Sequence, residues 1–520
     1  MLRGAQIVLR LSLRAGSTAA AANAPPVDDV TSAHALSAAK PYHEIPGPKA
    51  FPVVGNTWRF IKGMGNYASL DFVQLQKQLR EEYGDIVRLS GMHGRCDQVF
   101  LFNPESVEKV LRNDGRFPYR DGPGSMHYYR TVLRKDRFKG VAGTITTQGE
   151  EWQKFRTKVN QPLMHPRSAL RYLGNINDVA DEFLDKIRTL LDHNKELPHD
   201  FMKEFHKWSV ESIAAVALDT RLGCLAADLR PGSDPQRLMD AAHTVFECFV
   251  LLDFTPSLWR YVSTPAWRRF VRAMDTFTDI AEKYIQIATQ RIKQRSSDGE
   301  GSILERLLIA EGPEVANLMA TDMLFGGVDT TSNLAASLLF YIATYPIPQE
   351  KLAKELEMAL PNPREPISAH VLEGVPYLKA CIKESLRILP IVFGNVRRTQ
   401  TEMVVDGYRV PKNVDMLLQH MLISHDERHF PRPLSFEPER WLRGGAHAHT
   451  AHPFASLPFG FGPRTCVGRR FAEMEVQVLL AKMVRNFKIE YHYGDKLQYQ
   501  TTILNNVTSP LKFRLLPRRK

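Results

Sequence analysis

The chain has 520 residues, of which 43% are hydrophobic and 24% charged, a composition typical of a folded globular protein with a large core. Its net charge of +11 favours an acidic partner or an anionic membrane surface without establishing either, and we expect no nucleic-acid partner. Neither a zinc scaffold nor a disulfide framework is indicated, because the cysteines include no CxxC pair and lie far apart, at Cys96, Cys224, Cys248, Cys381 and Cys466.

The first 40 residues are predicted to be a mitochondrial transit peptide. The segment from Met1 to Asn23 is rich in Ala and Ser and has no acidic residue, and Arg3, Arg10 and Arg14 share one face of a helix. Arg10 interrupts the only apolar stretch that a secretory signal could use. The alternative is a loose terminus without a targeting role.

The remainder, residues 41–520, is predicted to form one domain. The stiff Ile45-Pro46-Gly47-Pro48 segment is a plausible start, and the polar stretch from Gln294 to Gly301 is the best loop candidate. The chain contains no internal repeat, and no run of about 18 apolar residues that could span a bilayer.

Periodicity predicts a mainly α-helical fold with minor β-sheets. Apolar residues at three- and four-residue steps indicate helices at 175–191, 207–218 and 270–292. Short strand patterns occur in two zones, at 86–89 and 99–102 and at 403–410 and 414–418.

The longest predicted helix runs from Pro313 to Tyr345, roughly 50 Å at 1.5 Å per residue. It is apolar on most faces and should therefore cross the core. Its middle carries Gly326-Gly327-Val328-Asp329-Thr330, although each glycine costs about 1 kcal/mol in a helix and a buried acid costs more unless it is paired. Such a conflict marks either a functional site or a packing kink with a solvated acid.

Near the C-terminus, a glycine-rich loop from Phe459 to Gly468 contains Cys466 and precedes a predicted helix at 469–484. A cysteine in this position has its thiolate stabilised by the helix dipole and by free backbone N–H groups. A phosphate-binding loop is the obvious rival, but the Lys-Ser/Thr pair that it requires is absent.

The pattern Phe459-x-x-Gly462-x-Arg464-x-Cys466-x-Gly468 resembles the haem-binding signature of the cytochrome P450 monooxygenases. Further motifs of that family precede this loop. Together with it they span about 320 residues and occur in the same order as in the family. They are Trp152-x-x-x-Arg156, Gly326-Gly327-x-Asp329-Thr330, Glu384-x-x-Arg387, Arg397 and Pro438-Glu439-Arg440-Trp441.

This resemblance implies the single-domain cytochrome P450 fold, with haem b between the long central helix and the cysteine loop. Cys466 would be the thiolate ligand of the iron, with Phe459 packed beside the sulfur. Asp329 and Thr330 would deliver protons to the oxygen-binding face. The haem propionates would be held by Trp152, Arg156, Arg397 and Arg464, and an architectural ion-pair network would comprise Glu384, Arg387 and Arg440.

Two lysines, Lys379 and Lys383, share a face of the helix that carries Glu384. Charge statistics alone favour a solvated surface, but the segment 377–384 resembles the mitochondrial members of the family. In those members the two lysines bind an acidic [2Fe–2S] ferredoxin of the adrenodoxin type, which is supplied by its own reductase. The resemblance thus implies a location on the matrix side of the inner membrane, with peripheral membrane association.

The substrate is expected to be a hydrophobic small molecule, because the segments that line the family's pocket are mostly apolar. The stretches 159–164 and 209–219 look most like arthropod mitochondrial members, which oxidise xenobiotics or hydroxylate ecdysteroids; the first class is preferred. Two other functions stay open, a reductase-independent enzyme that rearranges peroxides and a haem-binding sensor without turnover. The segments expected to line the pocket are 119–129, 246–254, 319–325, 391–393 and 503–507.

Overall fold

A computed structural model describes residues 33–518, apart from 228, 256, 295–300 and 445–450. The arginines of the predicted leader and most of the predicted loop at 294–301 lie outside the described residues. The packed chain includes the end of the segment that we predicted as a leader. Ala33–Ala38 is helical, and Lys40 forms a β-bridge with Tyr408.

The fold is mainly α-helical, as predicted. Two short π-helical turns, Tyr129–Leu133 and Val250–Phe254, were not expected from the sequence. The helices are α1 (Ala33–Ala38), α2 (Phe72–Tyr83), α3 (Pro104–Arg112), α4 (Gly124–Tyr128), α5 (Lys135–Phe138), α6 (Gly143–Thr146), α7 (Gly149–Met164), α8 (Pro166–Leu170), α9 (Leu173–Leu190), α10 (Met202–Ala217), α11 (Asp234–Phe249), α12 (Pro265–Gln294), α13 (Ile303–Glu311), α14 (Pro313–Thr344), α15 (Pro346–Ala359), α16 (Ala369–Gly374), α17 (Pro376–Ile388), α18 (His420–Ser424) and α19 (Arg469–Asn486).

The sheets are small and lie at the edge of the helical body. One has four strands in the order β1-β2-β6-β3, in which β2 and β6 are parallel and the other pairs antiparallel. Three antiparallel hairpin-like pairs, β4-β5, β7-β10 and β8-β9, complete the set. The strands are β1 (Ile86–Leu89), β2 (Gln98–Leu101), β3 (Asn395–Arg398), β4 (Met403–Val405), β5 (Tyr408–Val410), β6 (Asp415–Leu418), β7 (Phe487–Glu490), β8 (Tyr499–Thr501), β9 (Asn505–Val507) and β10 (Arg514–Pro517).

Helix α14 is the 32-residue centre of the molecule and matches the long helix predicted from the sequence. It begins with Pro313 at its first position, where a missing N–H costs nothing. Nearly every side chain of α14 is buried, because α10, α12, α13, α17 and α19 pack around it. Within the described residues, no helix is both long enough and apolar enough to cross a membrane.

Candidate functional site

The cysteine loop holds Cys466 immediately before α19. Gly460 and Gly462 have φ angles of 72° and 71°, which side chains with a Cβ rarely adopt, so the loop can turn tightly there. The backbone N–H of Cys466 donates to the carbonyl of Phe459 over 2.9 Å. The thiol therefore sits at the end of a closed turn whose shape the glycines permit.

Cys466 forms no disulfide, and its side chain keeps accessible surface although protein surrounds it, so the thiol opens onto an interior space. Burial raises the pKa of this thiol. The backbone N–H groups of Gly468 and Arg469 and the guanidinium groups of Arg156 and Arg120 act in the opposite direction, since they stabilise the thiolate. These N–H and guanidinium groups are therefore in place to stabilise a thiolate once a metal ion binds it.

Four arginines from distant parts of the chain influence one another around this space. Burial is the main cause that lowers the pKa of Arg120 to about 10 and of Arg464 to about 9, and the neighbouring guanidiniums lower both further. Asp114 is the carboxylate that faces them; it pairs with Arg397, and burial raises its pKa to about 6. Four cations against one acid leave an excess of positive charge in a poorly solvated place.

The four guanidiniums differ in how far the protein satisfies them. Arg464 lies 3.9 Å above the Trp152 ring and donates to the carbonyls of Pro118 at 3.0 Å and Thr147 at 3.0 Å, and to Gln148 Oε1 at 2.7 Å. Its donors are therefore largely used within the protein. Whether it also reaches a haem propionate stays a prediction.

Arg156 and Arg120 retain free donors. Arg156 Nη2 donates to the carbonyl of Thr465 at 2.7 Å, but its buried Nε has no hydrogen-bond partner. The guanidinium of Arg120 has no hydrogen-bond partner among the described residues. Arg120 is a site residue that we did not single out from the sequence, since nothing in its loop distinguishes it before folding brings it beside Arg156 and Arg397.

These features fit a flat, dianionic cofactor such as haem. Its two propionates would meet the excess positive charge and the free donors of Arg156 and Arg120, and its iron would meet the thiolate of Cys466. Trp152 is buried beside Arg464, and its indole N–H makes no hydrogen bond within the described part of the chain, so it remains available to a carboxylate. Arg397 is committed to Asp114 through Nε and donates to the Val396 carbonyl at 2.9 Å.

On α14, Asp329 and Thr330 lie beside the two glycines. A Cβ on Gly326 would meet nothing within 4 Å, so this face of the helix is open. A Cβ on Gly327 would lie 2.7 Å from Ile213, so this glycine permits the close approach of α10. The hydroxyl of Thr330 donates to the Gly326 carbonyl at 2.5 Å. The two glycines thus serve different purposes. Gly326 leaves a groove open on the surface of α14, and Gly327 lets α10 pack closely against it.

Asp329 is not solvated, which contradicts the simple kink alternative. Only 10% of its side chain is exposed, and burial raises the pKa of its carboxyl. An ionisable neighbour, His206 on α10, has its Nε2 3.5 Å from Asp329 Oδ1. Sequence reasoning missed His206, because a histidine on an amphipathic helix gives no indication of the helix that it will face.

The residues Glu384, Arg387 and Arg440 form one buried network. Both Arg387 and Glu384 are fully buried and joined by two hydrogen bonds of 2.9 and 2.8 Å. Arg440 Nε and Trp441 Nε1 add contacts to the same carboxylate at 3.2 and 2.9 Å. The network joins α17 to the turn Pro438–Trp441, and it does not involve the arginines around Cys466.

A concave surface lies on the side of the cysteine loop opposite α14. It encloses about 370 Å³ and combines an apolar floor with basic side chains. Burial lowers the pKa of Lys383, and Glu473 opposes this effect. We call this surface the basic pocket; its lining includes Lys379, Ile382, Lys383, Leu386, Trp441, Leu457, Phe459, Arg469 and Glu473.

The segments that we expected to line a substrate pocket form two groups: 119–129, 246–254 and 319–325 contact one another, and 391–393 contacts 503–507, where the Val507 N–H donates to Asn333 Oδ1 of α14 at 2.8 Å. Phe246 stacks on Phe325 with ring centroids 4.5 Å apart. Ser125 donates its N–H to Asp253 Oδ1 at 2.9 Å, and the Asn505 N–H donates to the Ile391 carbonyl at 2.9 Å. Aromatic and aliphatic side chains dominate this region, and the buried Arg130–Asp322 ion pair adds one polar element.

Comparison with known proteins agrees with this geometry. The family model described as Cytochrome P450 matches residues 45–516. A probable mitochondrial cytochrome P450 301a1 of Drosophila melanogaster is 40% identical over 483 residues, which cover 92% of this chain and 87% of the relative. Cytochrome P450 CYP12A2 of Musca domestica is 38% identical, covering 92% of this chain and 91% of the relative. The probable mitochondrial cytochrome P450 12a5 of Drosophila melanogaster is 37% identical with the same coverage.

The fold and the site define an oxidoreductase of the monooxygenase class. The chain belongs to the cytochrome P450 family. The family assignment made from the sequence motifs is therefore confirmed, and so is the fold class. Membership of this family implies a haem with a cysteine thiolate ligand.

Proposed function

We propose that this chain binds haem b through the thiolate of Cys466 and inserts one oxygen atom of dioxygen into a hydrophobic small molecule. The observation that carries the proposal is the arginine cluster around an accessible cysteine, with its excess of positive charge and its unpartnered Arg156 Nε. Among the described residues, Asp114 and the Cys466 thiolate are the anionic groups that act on these four arginines, which leaves an excess of positive charge. A dianionic cofactor would balance it.

When bound, the haem supplies dioxygen binding and O–O bond cleavage, which a thiolate ligand favours. This cleavage needs two protons, which Asp329 and Thr330 would deliver. Asp329 can hold a proton at neutral pH more readily than an exposed acid, because burial raises its pKa. The Thr330 hydroxyl can hold a water between this acid and the cofactor.

The cysteine assignment is tested by Cys466→Ser in the full chain. We expect the ferrous carbon monoxide complex to lose the red-shifted absorption band that a thiolate ligand produces, because a serine hydroxyl does not provide that ligand. Cys96→Ser is the matched control, since this half-buried cysteine lies outside the site. A Cys466→Ser protein with an unchanged band would refute the assignment.

The substrate is proposed to be a xenobiotic, with an ecdysteroid or other sterol as the alternative. The aromatic surroundings of Phe246 and Phe325 favour a flat apolar molecule. A panel containing 7-ethoxycoumarin and ecdysone should separate the two classes by the spectral shift that follows displacement of the iron-bound water. NADPH-dependent product formation should follow for the class that binds. A haem sensor would show the spectral shift without consuming oxygen.

Electrons are proposed to come from an acidic [2Fe–2S] ferredoxin that binds at the basic pocket. Lys379, Lys383 and Arg469 surround a concave apolar floor that includes Phe459, so a partner bound there lies next to the cysteine loop. Complementary charge raises the encounter rate and loses its effect at high salt. A peroxide-rearranging enzyme would not need this surface.

Reversal of both lysines, Lys379→Glu with Lys383→Glu, should raise the apparent KM for an adrenodoxin-type ferredoxin about tenfold while haem content is retained. The matched control reverses the exposed Lys412 and Lys496, which do not line the basic pocket. Equal KM values for the two double variants would exclude docking at this surface.

The protein is proposed to act in mitochondria, at the matrix side of the inner membrane. The support is the Arg-rich leader together with relatives that are named mitochondrial. Import of the full chain into isolated mitochondria, with loss of import after Arg3, Arg10 and Arg14 are changed to Gln, would test the leader.

Peripheral membrane association is proposed through exposed apolar side chains in two segments, 51–64 and 251–255 with 257–262. Val53 is 90% exposed and Tyr261 is 86% exposed. The loop at 93–95 joins the segments, since the His93 N–H donates to Thr57 and Arg95 donates to the Asp253 carbonyl at 2.6 Å. A contiguous apolar patch of this kind suits a lipid surface. Val53→Asp should reduce binding to cardiolipin-containing vesicles in co-sedimentation.

A further inference from the structure

His206 stands between the buried acid of α14 and the solvent. Its Nε2 lies 3.5 Å from Asp329 Oδ1, and its side chain is 27% exposed, compared with 10% for Asp329. A side-chain rotation that shortens this distance by about 0.5 Å would give a hydrogen bond. One ring nitrogen can thus face the acid while the ring keeps access to water.

The packing of α10 on α14 fixes this juxtaposition. The Ser209 hydroxyl donates to the Gly327 carbonyl at 2.9 Å, and Ile213 lies where a Cβ on Gly327 would be. His206 precedes Ser209 by one turn, and Asp329 follows Gly327 by two residues. Because Gly327 lets the two helices approach closely, the backbone of α10 places His206 beside Asp329.

Within the described residues, His206 is the titratable group that acts most strongly on the Asp329 carboxylate. No side chain or backbone group in the described ranges donates a hydrogen bond to it. The two groups that act on its charge are His206 and, more weakly, His243 on α11. The same two groups, Asp329 and His243, are those that act on the charge of His206.

Burial pushes both members of the pair toward their neutral forms. It raises the pKa of Asp329 and lowers the pKa of His206. His243, which is 71% exposed, also disfavours the imidazolium form of His206. The proton affinities of the two groups are therefore brought closer together, and a proton can pass between them with a smaller free-energy difference than between an exposed Asp and an exposed His.

We propose that His206 is a proton relay that recharges Asp329 from solvent during the oxygen activation proposed above, on which this inference rests. A solvent proton binds Nδ1 of the neutral imidazole, and Nε2 releases its own proton to Oδ1 of the Asp329 carboxylate. The ring then regains its first tautomer by exchange with water. One proton enters and one leaves, and no redox change occurs.

The contact is tested first without turnover. Histidine-labelled, haem-loaded protein is titrated by NMR, and the His206 resonance is assigned by its loss in His206→Gln. We expect the pKa of His206 to fall by at least about 0.5 in Asp329→Asn, since the carboxylate that raises it is gone. The exposed His199, which lies outside this pair, is the internal reference for the comparison of the two proteins. An unchanged His206 pKa in Asp329→Asn would overturn the pairing.

Oxygen consumption with NADPH, an adrenodoxin-type ferredoxin and its reductase tests the relay. Wild-type turnover should fall as pH rises, because the imidazolium fraction falls. His206→Phe and His206→Gln should lower the rate about tenfold and remove that pH dependence. The matched His199→Phe variant should keep the wild-type rate and profile.

The outcomes separate the two proposals. If the wild type consumes no oxygen with any member of the substrate panel, the proposed function fails, while the NMR titration still decides whether His206 and Asp329 are coupled. If the wild type consumes oxygen and His206→Phe matches its rate and pH profile at equal haem content, the relay is wrong and the proposed function stands.

Discussion

Two buried clusters of charge in this molecule are built on opposite principles. The carboxylate of Glu384 accepts hydrogen bonds from Arg387, Arg440 and Trp441, and every partner comes from the protein itself. The cluster around Cys466 brings four guanidiniums together with one carboxylate and leaves the buried Nε of Arg156 without a partner. The first cluster is complete without a ligand, and the second is completed by an anion.

This difference separates architecture from binding. A buried ion pair that is closed by its own hydrogen bonds tolerates no loss of either partner, because the remaining charge is stranded away from water. A cluster with surplus positive charge is strained in the free protein and relieved by a ligand. Removing a charge from the Glu384 network should therefore destabilise the ligand-free fold. Removing one cation from the cluster around Cys466 should leave it as stable or stabilise it.

The largest effect is expected for Glu384→Gln. It leaves the fully buried Arg387 without a carboxylate, which costs about 3–5 kcal/mol of folding free energy. We expect little soluble protein and a markedly lower melting temperature by thermal denaturation of the haem-free chain. Glu357→Gln, an exposed acid on α15, is the control. Wild-type yield and stability for Glu384→Gln would show that the network is dispensable.

An intermediate effect is expected for Arg156→Met, which should weaken haem binding without destabilising the haem-free fold. Loss of a charge-assisted hydrogen bond, about 1.5–3 kcal/mol, should weaken haem retention roughly tenfold to a hundredfold. The haem-free protein should melt at or above the wild-type temperature, since one unbalanced cation is gone. The measurements are the rate of haem transfer to apomyoglobin and the melting curve of the haem-free chain.

The comparison fails if Arg156→Met lowers the melting temperature of the haem-free chain as much as Glu384→Gln does. The exposed Arg167→Met, on the neighbouring helix α8, controls for the loss of an arginine as such. It should change neither haem transfer nor melting.

The smallest effect is expected at Glu475 on α19. This acid is buried, and neither hydrogen-bonded arginines nor a ligand stabilises its carboxylate. Its Oε1 has no hydrogen-bond partner, and burial raises the pKa of its carboxyl to about 8. The folded chain therefore retains a proton that the unfolded chain has already lost, so this residue makes folding less favourable as pH rises from its ordinary pKa toward 8.

Glu475→Gln should remove that pH dependence. We expect the variant to melt a few degrees above the wild type at pH 7.5 and at nearly the same temperature near pH 4.5, where the carboxyl is protonated in the folded chain and about half protonated in the unfolded chain. Parallel melting curves for Glu475→Gln and the wild type across this range would show that Glu475 has a partner or an ordinary pKa.

The sequence specified much of the fold because the relevant patterns are local. Pro313 marks the start of α14, and the apolar run that follows it can only be buried, so the helix was predicted to within one residue at its end. The strand at 86–89 was predicted with its observed limits. The π-helical turns Tyr129–Leu133 and Val250–Phe254 were missed, because such turns arise where tertiary packing inserts a residue and carry no periodic pattern.

The site was predictable only where a motif lies in one stretch of chain. Cys466, Asp329 and the Glu384-x-x-Arg387 pair were named as candidates because the motifs of the family place each of them within a short stretch of chain. Arg464 was also identified from its motif, but its guanidinium is committed to Pro118, Thr147 and Gln148, which no spacing rule could show.

By itself, therefore, the sequence determined that a thiolate would stand before a helix and that an acid would interrupt an apolar one. Only the tertiary structure decided that Arg120 joins the cations around Cys466 and that His206 faces Asp329 across the close contact at Gly327. The physical reason is that a charge acts on whatever folding places within a few ångströms of it, and that distance is set by packing rather than by separation along the chain.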